Sequence, residues 1–283
     1  MSSPSPSPSP SPSPSPSPAS SPCPTGGSDP LRGRHAVVTG ASGGIGAAIC
    51  AELARHGAVL TLLGTDPDRL ERAQASLPGA GHASARVDVR DHAAVAACLR
   101  QAAEERGIID ILVNNAGIAR SAPLTRTDPQ LWQDMLAVNL TGTYNCTQAA
   151  LEGMLRARWG RIVNVASTAG LTGYAYVSAY CAAKHGVVGF TRALALEVAA
   201  KGITVNAVCP GYTDTPLLDE ALDNIVARTG RSREQARQEL AAANPQGHLV
   251  TPRQVANAVA WLCLPGSEAV HGQAIAVAGG EVL

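Results

Sequence analysis

Seven short apolar runs separated by helix-length stretches constrain this chain more than any other feature. The runs are Ala36–Thr39, Val59–Leu63, Ala83–Val87, Ile109–Val113, Ile162–Ala166, Thr204–Val208 and Ala274–Val277. Helical patterns fall near 44–56, 67–76, 91–106, 128–157, 176–200 and 252–263. A strand that is apolar at successive positions must be buried on both faces, and intervening helices supply the covers. The pattern therefore predicts a parallel, doubly wound sheet of about seven strands in a three-layer α/β/α domain.

Two segments fall outside this alternation. Residues 1–24 are nearly pure Ser-Pro repeat, which removes backbone donors, favours extended polyproline geometry and offers nothing apolar to bury. They lack the basic and apolar regions of a signal peptide, so a disordered tail is expected over 1–30 and a catalytic domain over 31–283. The stretch 214–250 is polar and interrupted. It is expected to form a lid, with Leu217, Leu218, Leu222, Ile225 and Val226 as one narrow apolar stripe of a short helix and Asp219, Glu220, Asp223 and Arg228 on its wet face.

Charge narrows the partners. Net charge is zero with 16% charged residues, so no basic field attracts nucleic acid or an acidic membrane. No run approaches eighteen apolar residues, so no membrane span is expected. The seven cysteines are scattered and lack a C-x-x-C pair, which reads as reduced thiols of a cytoplasmic protein with no metal site.

The segment Thr39-Gly40-Ala41-Ser42-Gly43-Gly44-Ile45-Gly46 follows the first strand and opens the first helix. Glycines at 40, 44 and 46 permit a tight turn, close approach of a diphosphate and close helix-on-strand packing. The helix N-terminus presents free N–H groups to phosphates. A glycine loop alone is commonly just a turn. Between strand and helix at the head of a βαβ series it points to a dinucleotide and to a Rossmann-type sheet.

Tyr180 and Lys184 stand four apart in a helical pattern, hence on one face, one turn apart. Such a pair is usually a surface contact. With two lysines and five tyrosines in 283 residues, chance gives one in roughly thirty such chains. Tyrosine, with a reference pKa of about 10, is a weak acid near neutrality. A nearby ammonium is expected to lower that value, and the hydroxyl of Ser167, at the end of the preceding strand, can hold a carbonyl oxygen in line.

With TGASGGIG (39–46), the Asp88-Val89 pair, NNAG (114–117), Asn139 within VNL, Ser167, YCAAK (180–184) and Pro210-Gly211 followed by Thr215, all in this order, the chain resembles the short-chain dehydrogenase/reductase family over about 33–282. Within that family it resembles 3-oxoacyl thioester reductases and 3-hydroxyacyl dehydrogenases. It implies Tyr180 as proton donor or acceptor, Ser167 as positioner, Lys184 as partner of tyrosine and ribose, and Asn139 as a helix-bending residue holding a relay water. For the cofactor it implies Gly40, Ser42, Gly44, Ile45, Gly46, Thr65, Asp88, Val89, Asn114, Asn115, Ala116, Gly117, Pro210, Gly211, Thr213 and Thr215, besides Tyr180 and Lys184.

Cofactor choice is not written plainly. Gly64 stands where NAD-preferring members carry an acid, Thr65 where NADP-preferring members often carry arginine, and Gly43 where others place a basic residue. Asp66 either turns inward, repelling a 2′-phosphate, or caps the helix starting at Pro67. NAD or NADP is expected, leaning to NADP.

The expected substrate is a small-molecule alcohol or ketone. Ala119, Ala169 and Val177 occupy positions where hydroxybutyrate dehydrogenases of the family grip a free carboxylate. An apolar wall there would leave a carboxylate unpaired, so a neutral ketone or a CoA or carrier thioester fits better. Tyr174, Tyr176 and Tyr212 keep open a cyclic, aromatic or steroid-like alcohol. A non-catalytic, cofactor-sensing member of the fold is the reading from another class, opposed by the intact tetrad. The long helices carry Leu131, Met135, Leu140, Leu151, Val187, Phe190, Leu194 and Val198 on more than one face, which predicts a homotetramer.

Overall fold

The computed structural model describes residues 29–282. The tail expected over 1–30 therefore lies, up to residue 28, outside the described residues, as does Cys23. Seven strands form one wholly parallel sheet: β1 (His35–Thr39), β2 (Val59–Gly64), β3 (Ala83–Arg86), β4 (Ile109–Asn114), β5 (Gly160–Val165), β6 (Ile203–Pro210) and β7 (Ala274–Val277). Their spatial order is β3-β2-β1-β4-β5-β6-β7. The chain thus winds outward from β1 in one direction, then returns to β4 and winds in the other. The crevice between the carboxyl ends of β1 and β4 is where such sheets bind ligands.

The helices are α1 (Gly44–Arg55), α2 (Pro67–Ala75), α3 (His92–Arg106), α4 (Pro129–Leu136), α5 (Gly142–Ala157), α6 (Ser178–Val198), α7 (Pro216–Thr229), α8 (Arg233–Ala242) and α9 (Pro252–Cys263). Alternation of side chains along each strand feeds two cores. Ala36 and Val38 of β1 join Ile49, Leu53, Val255 and Val259 of α1 and α9 on one face. Val37 joins Leu99, Cys146, Met154 and Leu194 of α3, α5 and α6 on the other. Burial on both sides explains why the inner strands read as nearly unbroken apolar runs, while the edge strands β3 and β7 are only partly buried.

The structure departs from the expected helices in three places. The stretch 128–157 is not one helix: a five-residue π turn, Ala137–Thr141, separates α4 from α5. Asn139 Nδ2 donates to Met135 O at 3.0 Å, so a side chain takes the carbonyl its own backbone N–H would use in an α-helix. The helix expected from 176 begins at Ser178, because Tyr176 takes a left-handed φ of 68°. The stretch 214–250 holds two helices, α7 and α8, divided at Gly230 (φ 69°) and restarted by a Ser232–Gln235 capping box. Leu218 and Leu222 are buried with Ala236 and Leu249 in a cluster of their own. The stripe therefore faces mainly α8, and Leu217 alone of its first pair stays exposed, beside the cleft. Among the described residues no helix is long and apolar enough to cross a membrane.

Candidate active site

A cleft of about 990 Å3 opens at the carboxyl ends of β1, β4, β5 and β6. One end is the glycine loop. Gly40 (φ 63°) and Gly44 (φ 54°) take left-handed backbone that a side chain would strain. Gly46 lies beneath the loop, where a Cβ would stand 2.1 Å from Gly40 O, so only glycine allows α1 to pack this closely. Thr39 Oγ1 accepts from the backbone N–H of Asn115 and Ala116 at 3.0 and 2.9 Å. Asn115 Nδ2 donates to the carbonyls of Thr39 and Gly40, tying the loop to the end of β4. At the start of α1 Gly43 supplies no side-chain cap, leaving the first helical N–H groups to the cleft. Ser42, Gly44 and Ile45 line this floor, and the uncapped cradle fits a diphosphate.

Ser167, Tyr180, Lys184 and Asn139 all reach the same cleft. Ser167 ends the β5 segment, and its Oγ accepts from Ala169 N at 3.1 Å while meeting the Tyr180 phenol. Lys184 is buried on α6, with Nζ donating to Val165 O at 2.9 Å and lying 5.7 Å from the Tyr180 ring centre. Asn139 is buried at the π turn, holding Ile118 by both backbone groups: Nδ2 donates to Ile118 O (2.9 Å) and Oδ1 accepts from Ile118 N (3.3 Å). A Cβ on Gly117 would lie 2.8 Å from Asn139 Oδ1 and 3.6 Å from Lys184 Nζ, so that glycine keeps the space between them open.

The expected electrostatics need correction. Burial pushes the Tyr180 phenol up to about 12, partly offset by the Ser167 hydrogen bond, and burial pulls Lys184 down to about 8. The lysine does not lower the tyrosine here, because its ammonium is turned to a backbone carbonyl and is itself desolvated.

Pro210, Gly211, Thr213 and Thr215 form the opposite wall. Thr213 Oγ1 donates to Gly211 O at 2.9 Å, and Thr215, at the head of α7 ahead of Pro216, turns its Oγ1 to Thr213 O at 3.3 Å instead of capping the helix. Ala116 and Gly117 line the cleft as expected. Thr65, Asp88 and Val89 lie outside this lining, beyond the carboxyl ends of β2 and β3. Asp88 is engaged by Arg90, and Val89 packs against Gly142. Asn114 is corrected: buried at 4% exposure, it donates to Thr147 Oγ1 and Asn164 Oδ1 and does not line the cleft.

Several lining residues had no signal strong enough to single them out. Arg69 reaches the glycine loop from α2. Arg120 and Arg231 are exposed along the cleft; Glu220 and Arg228, expected on the wet face of the lid helix, line it too, because the apolar stripe of α7 turns to α8 and leaves the flank to the cleft. Tyr174 donates to Glu281 Oε1 at 2.5 Å across 107 residues, and meets Tyr212 edge-on at 6.3 Å. Ala119, Ala169 and Val177 also line the cleft. No group of three or more potential metal ligands occurs among the described residues.

The family model for short chain dehydrogenase matches residues 34–226. D-beta-hydroxybutyrate dehydrogenase of Cupriavidus necator is 40% identical over 258 residues, spanning 89% of this chain and 99% of that relative. The 3-oxoacyl-acyl-carrier-protein reductase FabG of Vibrio cholerae is 38% identical over 250 residues, spanning 88% and 98%. Among solved structures, an actinorhodin polyketide ketoreductase variant with NADPH superposes with a TM-score of 0.85 at 38% identity, spanning 88% of this chain and 97% of that one.

Proposed function

The chain belongs to the short chain dehydrogenase family, and on that premise we propose that it interconverts a 3-oxoacyl and a 3-hydroxyacyl thioester. It is an NAD(P)-dependent oxidoreductase acting on a secondary alcohol and its ketone. The observation that carries the finer reading is the wall made by Ala119, Ala169 and Val177 beside Tyr180 and Ser167. A free carboxylate against those three would be desolvated and unpaired. A thioester is neutral there, and its charged carrier can lie among the exposed Arg120 and Arg228 at the cleft.

When bound, the nicotinamide dinucleotide supplies or accepts the hydride. The glycine loop and the start of α1 would hold its diphosphate, Lys184 its ribose, and Pro210, Gly211, Thr213 and Thr215 its carboxamide side. Ser167 Oγ orients the substrate oxygen. The Tyr180 hydroxyl gives that oxygen a proton on reduction and recovers it on oxidation. Asn139 holds Ile118 by both backbone groups and so fixes the Gly117 backbone beside Lys184.

Residues 31–283 are read as one catalytic domain, with 214–250 as its lid. A homotetramer is proposed from apolar side chains left on the outer helices, Tyr144 and Leu155 of α5 and Leu196 of α6. The free thiols among the described residues suit the cytoplasm. A second reading, a cyclic or aromatic alcohol, is favoured by Tyr174, Tyr176 and Tyr212 along the cleft.

Nicotinamide absorbance followed with acetoacetyl thioesters, free acetoacetate and cyclic ketones tests the choice. Turnover of the thioesters at a kcat/KM well above that of the other two is expected. A preference for cyclic ketones transfers the reading to the second, and a preference for acetoacetate overturns the argument from the apolar wall.

A further inference from the structure

Gly43 sits in extended backbone (φ 174°, ψ 178°), which any residue adopts, so conformation does not demand glycine there. What stands there is Arg69: a Cβ at 43 would lie 2.7 Å from Arg69 Nη2, so the end of that side chain occupies the volume that a side chain at 43 would enter. Arg69 arrives from the first turn of α2, twenty-six residues later, and lines the cleft beside the glycine loop. Asp66 is turned away: it caps α2, its Oδ1 accepting from Arg69 N at 3.0 Å. Gly64, the last residue of β2, has no carboxylate to take a ribose 2′-OH. Among the described residues Arg69 forms no ion pair, whereas Arg233 and Arg237 are both paired.

We propose that Arg69 binds the 2′-phosphate of NADP and so sets this chain's preference for NADP over NAD. The proposal rests on the reading of the cleft as a dinucleotide site and names the residue that selects between the two dinucleotides. Arginine suits the task. Its charge is permanent, and its planar fork can give two parallel N–H donors to phosphate oxygens. The three positions that left cofactor choice undecided then fall into one arrangement. Gly64 supplies no repelling acid, the Asp66 carboxylate accepts from the Arg69 amide of α2, and Gly43 leaves room for a charge brought from α2. Thr65, at the start of the β2–α2 turn, is exposed beside this route.

Equilibrium binding of 2′,5′-ADP and 5′-AMP by calorimetry tests the assignment without turnover, since these probes differ only in the 2′-phosphate. The unaltered protein is expected to bind 2′,5′-ADP the more tightly. Arg69→Ala should weaken 2′,5′-ADP by about 10- to 100-fold, the range for a lost hydrogen bond to a charged group, and leave 5′-AMP nearly unchanged. Adding Gly43→Arg to Arg69→Ala should restore much of that loss, because it returns a guanidinium to the same volume from the loop itself. Equal losses for both probes, or no loss for either, overturn the role of Arg69 while leaving the oxidoreductase reading intact. Failure of the unaltered protein to bind NADP, NAD or either probe overturns the dinucleotide reading on which the proposal rests.

Discussion

Lys184 Nζ stands 5.7 Å from the centre of the Tyr180 ring, one helical turn along α6. At that distance the ammonium shares the phenol's cleft without a direct bond to its oxygen. Its own hydrogen bond goes to the Val165 carbonyl at the end of β5. The pair is therefore held by two different elements, and burial governs both groups: the phenol is raised to about 12 and the ammonium lowered to about 8. A bound ribose with hydroxyls between them would give the lysine a second acceptor and connect it to the tyrosine.

Replacing Tyr180 by Phe removes one hydroxyl and keeps the ring that packs in the cleft. Folding and dinucleotide binding should survive, while turnover falls by at least the roughly 10²–10⁴-fold that a positioned acid supplies. Steady-state kinetics alongside dinucleotide titration measures both. Turnover within a few-fold of the unaltered protein would remove Tyr180 from the proton step.

The depressed lysine has a consequence for stability. Between about pH 8 and 10.5 the unfolded chain keeps a Lys184 proton that the folded chain has released. Stability therefore rises with pH across that window, by an amount on the order of 3 kcal/mol from this group. Tyr180 acts oppositely but higher, between 10 and about 12, where the unfolded chain ionises first. Denaturant midpoints of the unaltered protein and Lys184→Met, compared without dinucleotide from pH 7.5 to 9.5, isolate the lysine. The unaltered protein should gain on the variant as pH rises; parallel curves would place Lys184 at an ordinary lysine value.

The sheet and the chemical tetrad are legible in the amino-acid order because their signals are local. Strands such as Val59–Gly64 are buried on both faces and so are apolar residue after residue. Tyr180 and Lys184 share a helix, where spacing alone places them on one face. Features made by distant pairs leave no such mark. The cleft wall depends on Tyr174 meeting Glu281 and the loop's positive charge on Arg69 crossing to Gly43, whereas the π turn is local, Asn139 taking the Met135 carbonyl, and only the family resemblance marked Asn139 as helix-bending. The pKa directions at Tyr180 and Lys184 likewise follow from burial, which spacing does not report.

Assembly follows from what the outer helices leave uncovered. Of the eight apolar residues that suggested a second interface, Met135, Val187, Leu194 and Val198 are buried, Leu140, Leu151 and Phe190 pack partly against the core clusters, and Leu131 is half-buried. The exposed apolar side chains are different ones: Trp132 of α4, Tyr144 and Leu155 of α5, and Leu196 of α6, the last 83% exposed. The proposed oligomer would cover such residues. Light scattering at micromolar concentration should give the mass of a tetramer, or at least a dimer, and Leu196→Glu should lower it. A monomer mass for the unaltered protein rules the assembly out.

The segment 214–250 is expected to move as a unit. Its two helices pack on each other through Leu218, Leu222, Ala236 and Leu249, a cluster separate from the two main cores. Arg233 ties Asp219 and Asp223, Arg231 ties Glu239 and Arg237 ties Asp214, so its ion pairs among the described residues are internal as well. It is attached along one edge, where Asp214 N donates to Val250 O and Val250 N to Tyr212 O, both at 2.9 Å, and where Asn244 and Pro245 pack against Gly279 and Gly280. Across the cleft the described side-chain tie is a long contact of 3.3 Å from Arg228 Nη2 to Ser121 O. A unit packed on itself and held at one edge can swing at modest cost without melting its helices. Swinging inward would carry Leu217 towards the substrate and expel water from beside Tyr180. Hydrogen exchange over 214–250 should therefore show protection rising with dinucleotide plus an acyl thioester analogue, most at Asp214–Leu218 and least in the middle of α8. Identical exchange in the free and bound protein would make the segment a fixed wall, and substrate choice would then rest on the loop from Tyr174 to Val177.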